Sequence, residues 1–208
     1  LDPPVHVYVW RVNVGQVDLY LLDPAIDINR AWDQDIGRRL YASNTESRLR
    51  QEILLGMGGM RALAAMDIHP GATHLNEGHA ALANLERIRM IEEEEGLDFD
   101  AALERVRAHS IFTTHTPVPA GTDVYAFEVM DEHLNEYLRE LGIDRDRFFE
   151  LGKNPEDPQS GFNMTVFALQ VTGLRNAVSQ RHGEVTRDMW ASLWADRDPE
   201  EIPIASIT

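Results

Sequence analysis

Two short stretches hold most of the residues able to do chemistry. In "SIFTTHTPVPAG", residues 110–121, His115 and Thr116 follow a run of strand formers. Pro117, Pro119 and Gly121 come next and continue neither a strand nor a helix. His115 is thereby placed at the carboxyl end of a strand, which is where ligands bind in open α/β sheets. In "HLNEGH", residues 74–79, Asn76, Glu77 and His79 follow a second short strand in the same way. If both strands lie in one sheet, Asn76, Glu77, His79, His115 and Thr116 converge on one edge. That set of donors and acceptors suits a ligand with many hydroxyls, or a phosphate near a helix N-terminus. A histidine at a strand end also serves as a capping or supporting group, and on pattern alone both roles stay open.

A metal centre is the other chemistry to weigh, since His74, Glu77 and His79 offer ligand atoms within six residues. The spacing is poor. His74 and His79 straddle a change from strand to helix and do not sit four apart on one helical face, and "HGEVTR" at 182 lacks a second histidine. No metal is expected.

The elements that must position these residues follow from periodicity. "HVYVWRVNV" and "VDLYLLD", separated by Gly15 and Gln16, predict an antiparallel hairpin. Leu49, Ile53, Leu54, Met57, Met60 and Leu63 recur at helical steps. Gly56, Gly58 and Gly59 in that helix cost roughly 1 kcal/mol each relative to Ala, which calls for close packing on a sheet or close approach to a ligand. A strand over 72–75 then leads, with Asn76 as N-cap, into a helix carrying Ala80, Leu82, Leu85, Ile88 and Ile91. Asp98 caps a helix through Ala108, and the strand 111–115 returns, which implies a parallel crossover with both faces of the sheet buried. Asp123 is expected to cap a helix striped by Phe127, Met130, Leu134, Leu138 and Leu141, and 144–161 reads as an acidic loop. Two further helices are expected, one over Met164, Phe167, Val171, Leu174 and Val178 and one over Val185, Met189 and Leu193, and "IPIASIT" reads as a strand.

Composition narrows the partners. The 208 residues hold 35 acids against 19 bases, a formal net charge of −16, which disfavours nucleic acid as a ligand. Lys153 is the sole lysine, so Schiff-base chemistry has one candidate, set in a Gly-Lys-Asn-Pro loop. There is no cysteine. No apolar run reaches a membrane span and no secretory signal is apparent, so a cytoplasmic address with no membrane partner is the expectation.

"RLRQEILLGMGGMRAL", "HLNEGHAALANLERIR", "FTTHTPVPAGTD", "FNMTVFAL" and "NAVSQRHGEVTRDMW", in that order, strongly resemble the α-glucan (glycogen or maltodextrin) phosphorylases of the short bacterial and archaeal type. The resemblance implies an α/β fold: part of the Rossmann-like N-terminal domain of a GT-B glycosyltransferase, a mostly parallel sheet flanked by helices. Residues 1–208 would form one α/β segment of the glucan-side domain, without the C-terminal domain that carries the pyridoxal phosphate lysine. Pyridoxal phosphate is thus implied for the full-length enzyme and not for this chain, since Lys153 matches no such motif. The implied reaction is phosphorolysis of terminal α-1,4-linked glucose to glucose 1-phosphate, with α-1,4-glucan and inorganic phosphate as partners and a homodimer left open.

By the same resemblance His115 contacts the glucosyl unit in the catalytic site and Thr116 supports it, Asn76, Glu77 and His79 border the pocket, and Asn44 and Arg48 fall near the loop that gates entry. The sequence departs from the family at "YASN", where Ala42, Ser43 and Asn44 replace two glycines and a carboxylate, and at Ala177 and Arg181. A chain holding half of a two-domain cleft is expected to be inactive alone. A non-catalytic carbohydrate-binding or assembly module keeping the same scaffold is the alternative.

Overall fold

A computed structural model describes residues 4–39, 44–118 and 121–207. The chain opens with the expected hairpin, β1 (Tyr8–Val14) and β2 (Val17–Asp23), turned by Gly15 at φ +63. Among the described residues the ribbon has no third strand. Tyr8, Trp10, Val12 and Val14 share one face with their cross-strand partners Leu21, Leu19 and Val17, and all seven are more than 40% exposed.

After the short α1 (Ala31–Gln34), the predicted long helix appears as α2 (Thr45–Ile53), a π-turn segment over Leu54–Gly58 and α3 (Gly59–Ala65). Gly56 answers the question its cost raises. A Cβ there would lie 2.7 Å from the Ala83 backbone nitrogen and 2.9 Å from the Leu82 carbonyl carbon, so close packing is the reason, on a helix and not on the expected sheet. Ala83 belongs to α4 (Leu82–Glu95), which with α5 (Phe99–Ala108) joins β3 (Thr73–Asn76) to β4 (Ser110–Thr114). Asp98 caps α5 as expected, accepting from the Ala101 amide at 2.9 Å.

β3 and β4 are parallel, and the sheet continues through β7 (Leu174–Ala177) to β8 (Ala205–Ser206) in the order β3-β4-β7-β8, with every pairing parallel. α/β architecture is thus observed. Leu75 and Phe112 face the core with Leu82, Leu85, Ile88 and Leu103. By strand alternation the other face carries His74, Asn76, Thr113 and Asn176. His74 bonds Thr113 at 2.7 Å and Thr113 bonds Asn176 at 2.9 Å, while Leu174 beside them is 64% exposed. The expectation that both faces are buried therefore holds for one face in full and for the other in part, where Thr113 and Asn176 are buried while His74, Asn76 and Leu174 are exposed.

Several local expectations are corrected. Leu174 and Val178 do not extend a helix: α8 (Met164–Gln170) ends early, and Leu174–Ala177 takes the parallel place beside β4. The stretch 144–161 is partly helical, since Asp144 caps α7 (Arg145–Leu151) by accepting from the amides of Asp146 and Arg147. A two-residue antiparallel pair, β5 (Val124–Tyr125) with β6 (Phe162–Asn163), stands between α5 and α8. "IPIASIT" gives only the two residues of β8. α6 (Phe127–Glu140) carries its apolar stripe as predicted, and α9 (Gln180–Met189) follows β7.

Candidate active site

The two strand ends meet through a carboxylate. Asn76 stands opposite Thr113, and the next residue, Glu77, donates its amide to the Thr113 carbonyl at 3.0 Å. Glu77 has φ 65 and ψ 177, a conformation almost confined to glycine, which costs an ordinary residue on the order of 1–3 kcal/mol. The turn brings its side chain back over β4. Glu77 Oε1 accepts from the His115 amide, from the Thr116 amide at 2.9 Å and from the Thr116 hydroxyl at 3.2 Å. His115 Nε2 pairs with Asn76 Oδ1 at 2.9 Å. The expected N-cap role of Asn76 is thereby corrected: Asn76 ends β3 and its side chain goes to His115. The turn also needs Gly78, because a Cβ there would sit 3.2 Å from the Met164 carbonyl carbon and the Thr165 nitrogen.

A second cluster lies beside the first. Asp123 does not cap α6, whose N-cap position is held by Ala126. Its Oδ2 accepts from Arg48 Nη2 at 2.9 Å and pairs with His79 Nδ1 at 3.1 Å. Glu52, one helical turn beyond Arg48 on α2, is 2% exposed, with Oε1 3.5 Å from His79 Nδ1 and 3.8 Å from Arg48 Nε. Burial pushes the Glu52 carboxyl up to about 7, and the charge of Asp123 adds to the shift. Interactions with Asp123 and Glu52 raise His79 to about 9 against the effect of its burial. Burial alone would raise Asp123, but the bonds and charges of His79 and Arg48 outweigh it and bring the carboxyl down to about 2. The Tyr125 phenol, on β5, is driven well above its ordinary value by burial and by the Glu52 charge.

Ligand atoms of Glu52, His79 and Asp123 lie within 4.8 Å of one another, a spacing a metal ion could use. Arg48 argues against it. Its Nη2 lies 2.9 Å from Asp123 Oδ2 and 3.1 Å from His79 Nδ1, so the guanidinium already neutralises the position a cation would take. His74, the other sequence candidate, is turned to Thr113 on the sheet face.

Between the clusters runs a cleft of about 540 Å³ lined by Arg48, Asn76, Glu77, His79, His115 and Thr116, with Gly121, Thr122 and Asp123 on its rim. Six of the seven residues singled out from sequence thus share one cavity. Asn44 does not. It caps α2 by accepting from the Ser47 amide at 2.7 Å and borders a separate depression with Trp32, Asp35 and Arg39. Tyr41, Ala42 and Ser43 of the gate lie outside the described residues.

Sequence reasoning missed Glu52, Tyr125 and the ionic role of Asp123. The available signal was the Arg48–Glu52 spacing of four, with the apolar Leu49 and Ile53 following each of them on α2.

Lys153 does not suit a pyridoxal phosphate. It pairs with Glu150 at 2.6 Å outside this cleft, and no other lysine is present. Among the described residues no helix is long and apolar enough to cross a membrane.

Fold and site together define an α/β segment with a polar, charged cleft at the carboxyl edge of a parallel sheet. No family model matches the chain. It is 44% identical over its whole length to the maltodextrin phosphorylase of Thermococcus litoralis, of which it covers 24%. It is 40% identical, again over its whole length, to the glycogen phosphorylase of Aquifex aeolicus, covering 29% of that protein. Over 96% of the chain it is 41% identical to the glycogen phosphorylase of Mycobacterium tuberculosis, covering 24%. The chain belongs to the glycogen and maltodextrin phosphorylase family, and it spans about a quarter of the length of these relatives.

Proposed function

We propose that this chain forms the glucan-contacting side of the cleft of an α-glucan phosphorylase, which cleaves terminal α-1,4-linked glucose with inorganic phosphate to give glucose 1-phosphate. The observation that carries the reading is the convergence of His115, Thr116, Asn76, Glu77, His79 and Arg48 on one cleft at the sheet's carboxyl edge, in a chain homologous to phosphorylases from end to end. His115, exposed at the cleft wall, takes the hydroxyl of a glucosyl unit. Thr116 holds the turn beside it, and His79 and Arg48, ion-paired with Asp123, form the far wall.

Residues 1–208 act as one α/β unit of the glucan-side domain. The groups that bind phosphate and pyridoxal phosphate belong to polypeptide that the chain does not match. Positioning by both walls of a cleft is worth about 7–11 kcal/mol of barrier, so one wall alone is close to inert.

Titration of the isotope-labelled chain with linear α-1,4 maltooligosaccharides tests the reading. Shifts are expected at residues 76–79 and 115–123. His115→Ala should weaken binding roughly tenfold, about 1.4 kcal/mol, the worth of one hydrogen bond. Shifts confined to other surfaces, or none at saccharide concentrations that saturate a phosphorylase, would refute it. Supplied with maltodextrin, phosphate and pyridoxal phosphate, the isolated chain should yield no glucose 1-phosphate above background.

A further inference from the structure

We infer that Asn76 and Glu77 are positioning residues that act through His115. Glu77 Oε1 is fully engaged, holding two successive backbone amides and one hydroxyl of the His115–Thr116 pair. An oxygen with three donors converging on it has no capacity left for a ligand hydroxyl. What it does is fix the direction in which the backbone leaves β4, and so the direction in which the His115 ring leaves the backbone.

Asn76 fixes the ring itself. Its Oδ1 can only accept, so His115 Nε2 must carry the proton at the 2.9 Å contact, and Nδ1 is left as the acceptor of the neutral ring. Both positioning groups come from consecutive residues of one turn, and the strained backbone of Glu77 is what lets both side chains reach β4. The strain has a function only if the carboxylate must stand there, because a glycine would adopt the same turn at no steric cost.

This inference refines the assignment of His115 to the cleft wall, and its test uses no saccharide, so the two readings can fail separately. In the labelled 208-residue chain, imidazole proton–nitrogen correlation spectra identify the protonated ring nitrogen of each histidine, with His115 assigned from the His115→Ala spectrum. His115 should be locked as the Nε2–H tautomer. Asn76→Ala should release it to the mixture of free imidazole, with the backbone amides of 115 and 116 unmoved. Glu77→Ala should shift both amides upfield and speed exchange of the Thr116 amide at least about tenfold, as loss of a charged acceptor requires.

Two near-isosteric variants cover loss of folding in the alanine forms. Glu77→Gln retains an acceptor and should keep both amides near their wild-type positions. Asn76→Asp keeps an acceptor opposite Nε2 and should preserve the Nε2–H tautomer. An Nδ1–H tautomer in the wild type would overturn the inference. So would ring nitrogens indifferent to Asn76→Ala, amides indifferent to Glu77→Ala, or loss of the Nε2–H tautomer in a folded Asn76→Asp.

Discussion

Glycine ordinarily destabilises a fold relative to alanine, by about 0.4–1 kcal/mol through the entropy of the unfolded chain. At position 77 the order should reverse. With φ 65 and ψ 177 the Glu77 backbone lies in a region where a Cβ costs on the order of 1–3 kcal/mol. Glu77→Ala removes the carboxylate and its three accepted hydrogen bonds but keeps the Cβ, and with it the strain. Glu77→Gly removes the same bonds and the strain together. Subtracting the entropic penalty leaves the glycine variant more stable than the alanine variant by up to about 2.6 kcal/mol, about 1.3 kcal/mol at the middle of both ranges. For a chain of this size each kcal/mol moves the melting temperature by about 2–4 °C. Melting of the two variants side by side, backed by urea titration, reads the difference directly, because both lack the carboxylate and differ in one methyl group. An alanine variant as stable as the glycine variant, or more so, would show that the turn is not strained, and the structural reason for an acidic residue at this point would fall with it.

Gly56→Ala should destabilise by about 1–3 kcal/mol, because its Cβ would press on the Ala83 and Leu82 backbone, whereas Gly59→Ala, with nothing within 4 Å, should stabilise by about 0.5–1 kcal/mol; opposite shifts in urea midpoint are the check. The ionic cluster makes stability fall with rising pH in two stages. Glu52 has its folded value raised from 4.5 to about 7, so its contribution is full below 4.5 and lost as pH rises through 7. His79, raised from 6.5 to about 9, contributes fully below 6.5 and loses that contribution through 9. Asp123, lowered from 3.8 to about 2, works in the other direction, its contribution present above 3.8 and lost towards 2. Glu52→Gln should therefore flatten the stability profile between about pH 4.5 and 7 and shorten the fall towards 9, since Glu52 also helps to raise His79; a wild-type slope in that variant would place the titration elsewhere.

The parts of the molecule readable from sequence are those set by local pattern. The hairpin follows from two alternating runs around Gly15, the crossover from two amphipathic helices between β-rich segments, and the shared cleft from polar residues falling just past two strand ends. Other features depend on partners distant in the chain. Leu174–Ala177 looks like helix in isolation, and it becomes a strand because the β4 edge offers it a ladder and Gly173 lets the chain turn against the Arg107 carbonyl, where a Cβ would lie 2.2 Å away. Asp123 looks like a cap because aspartate before a helical stripe usually is one. It serves instead as a counter-ion because α2 brings Arg48 within 2.9 Å, across 75 residues of sequence. Glu52 is the extreme case: its four-residue spacing from Arg48 suggests only a surface ion pair, yet its side chain is buried beside His79, Asp123 and Tyr125. A pair worth a few tenths of a kcal/mol in water thereby becomes a carboxyl whose ionisation the fold resists. Sequence pattern locates residues that can do chemistry, but the burial that decides which of them will is a property of the packed elements.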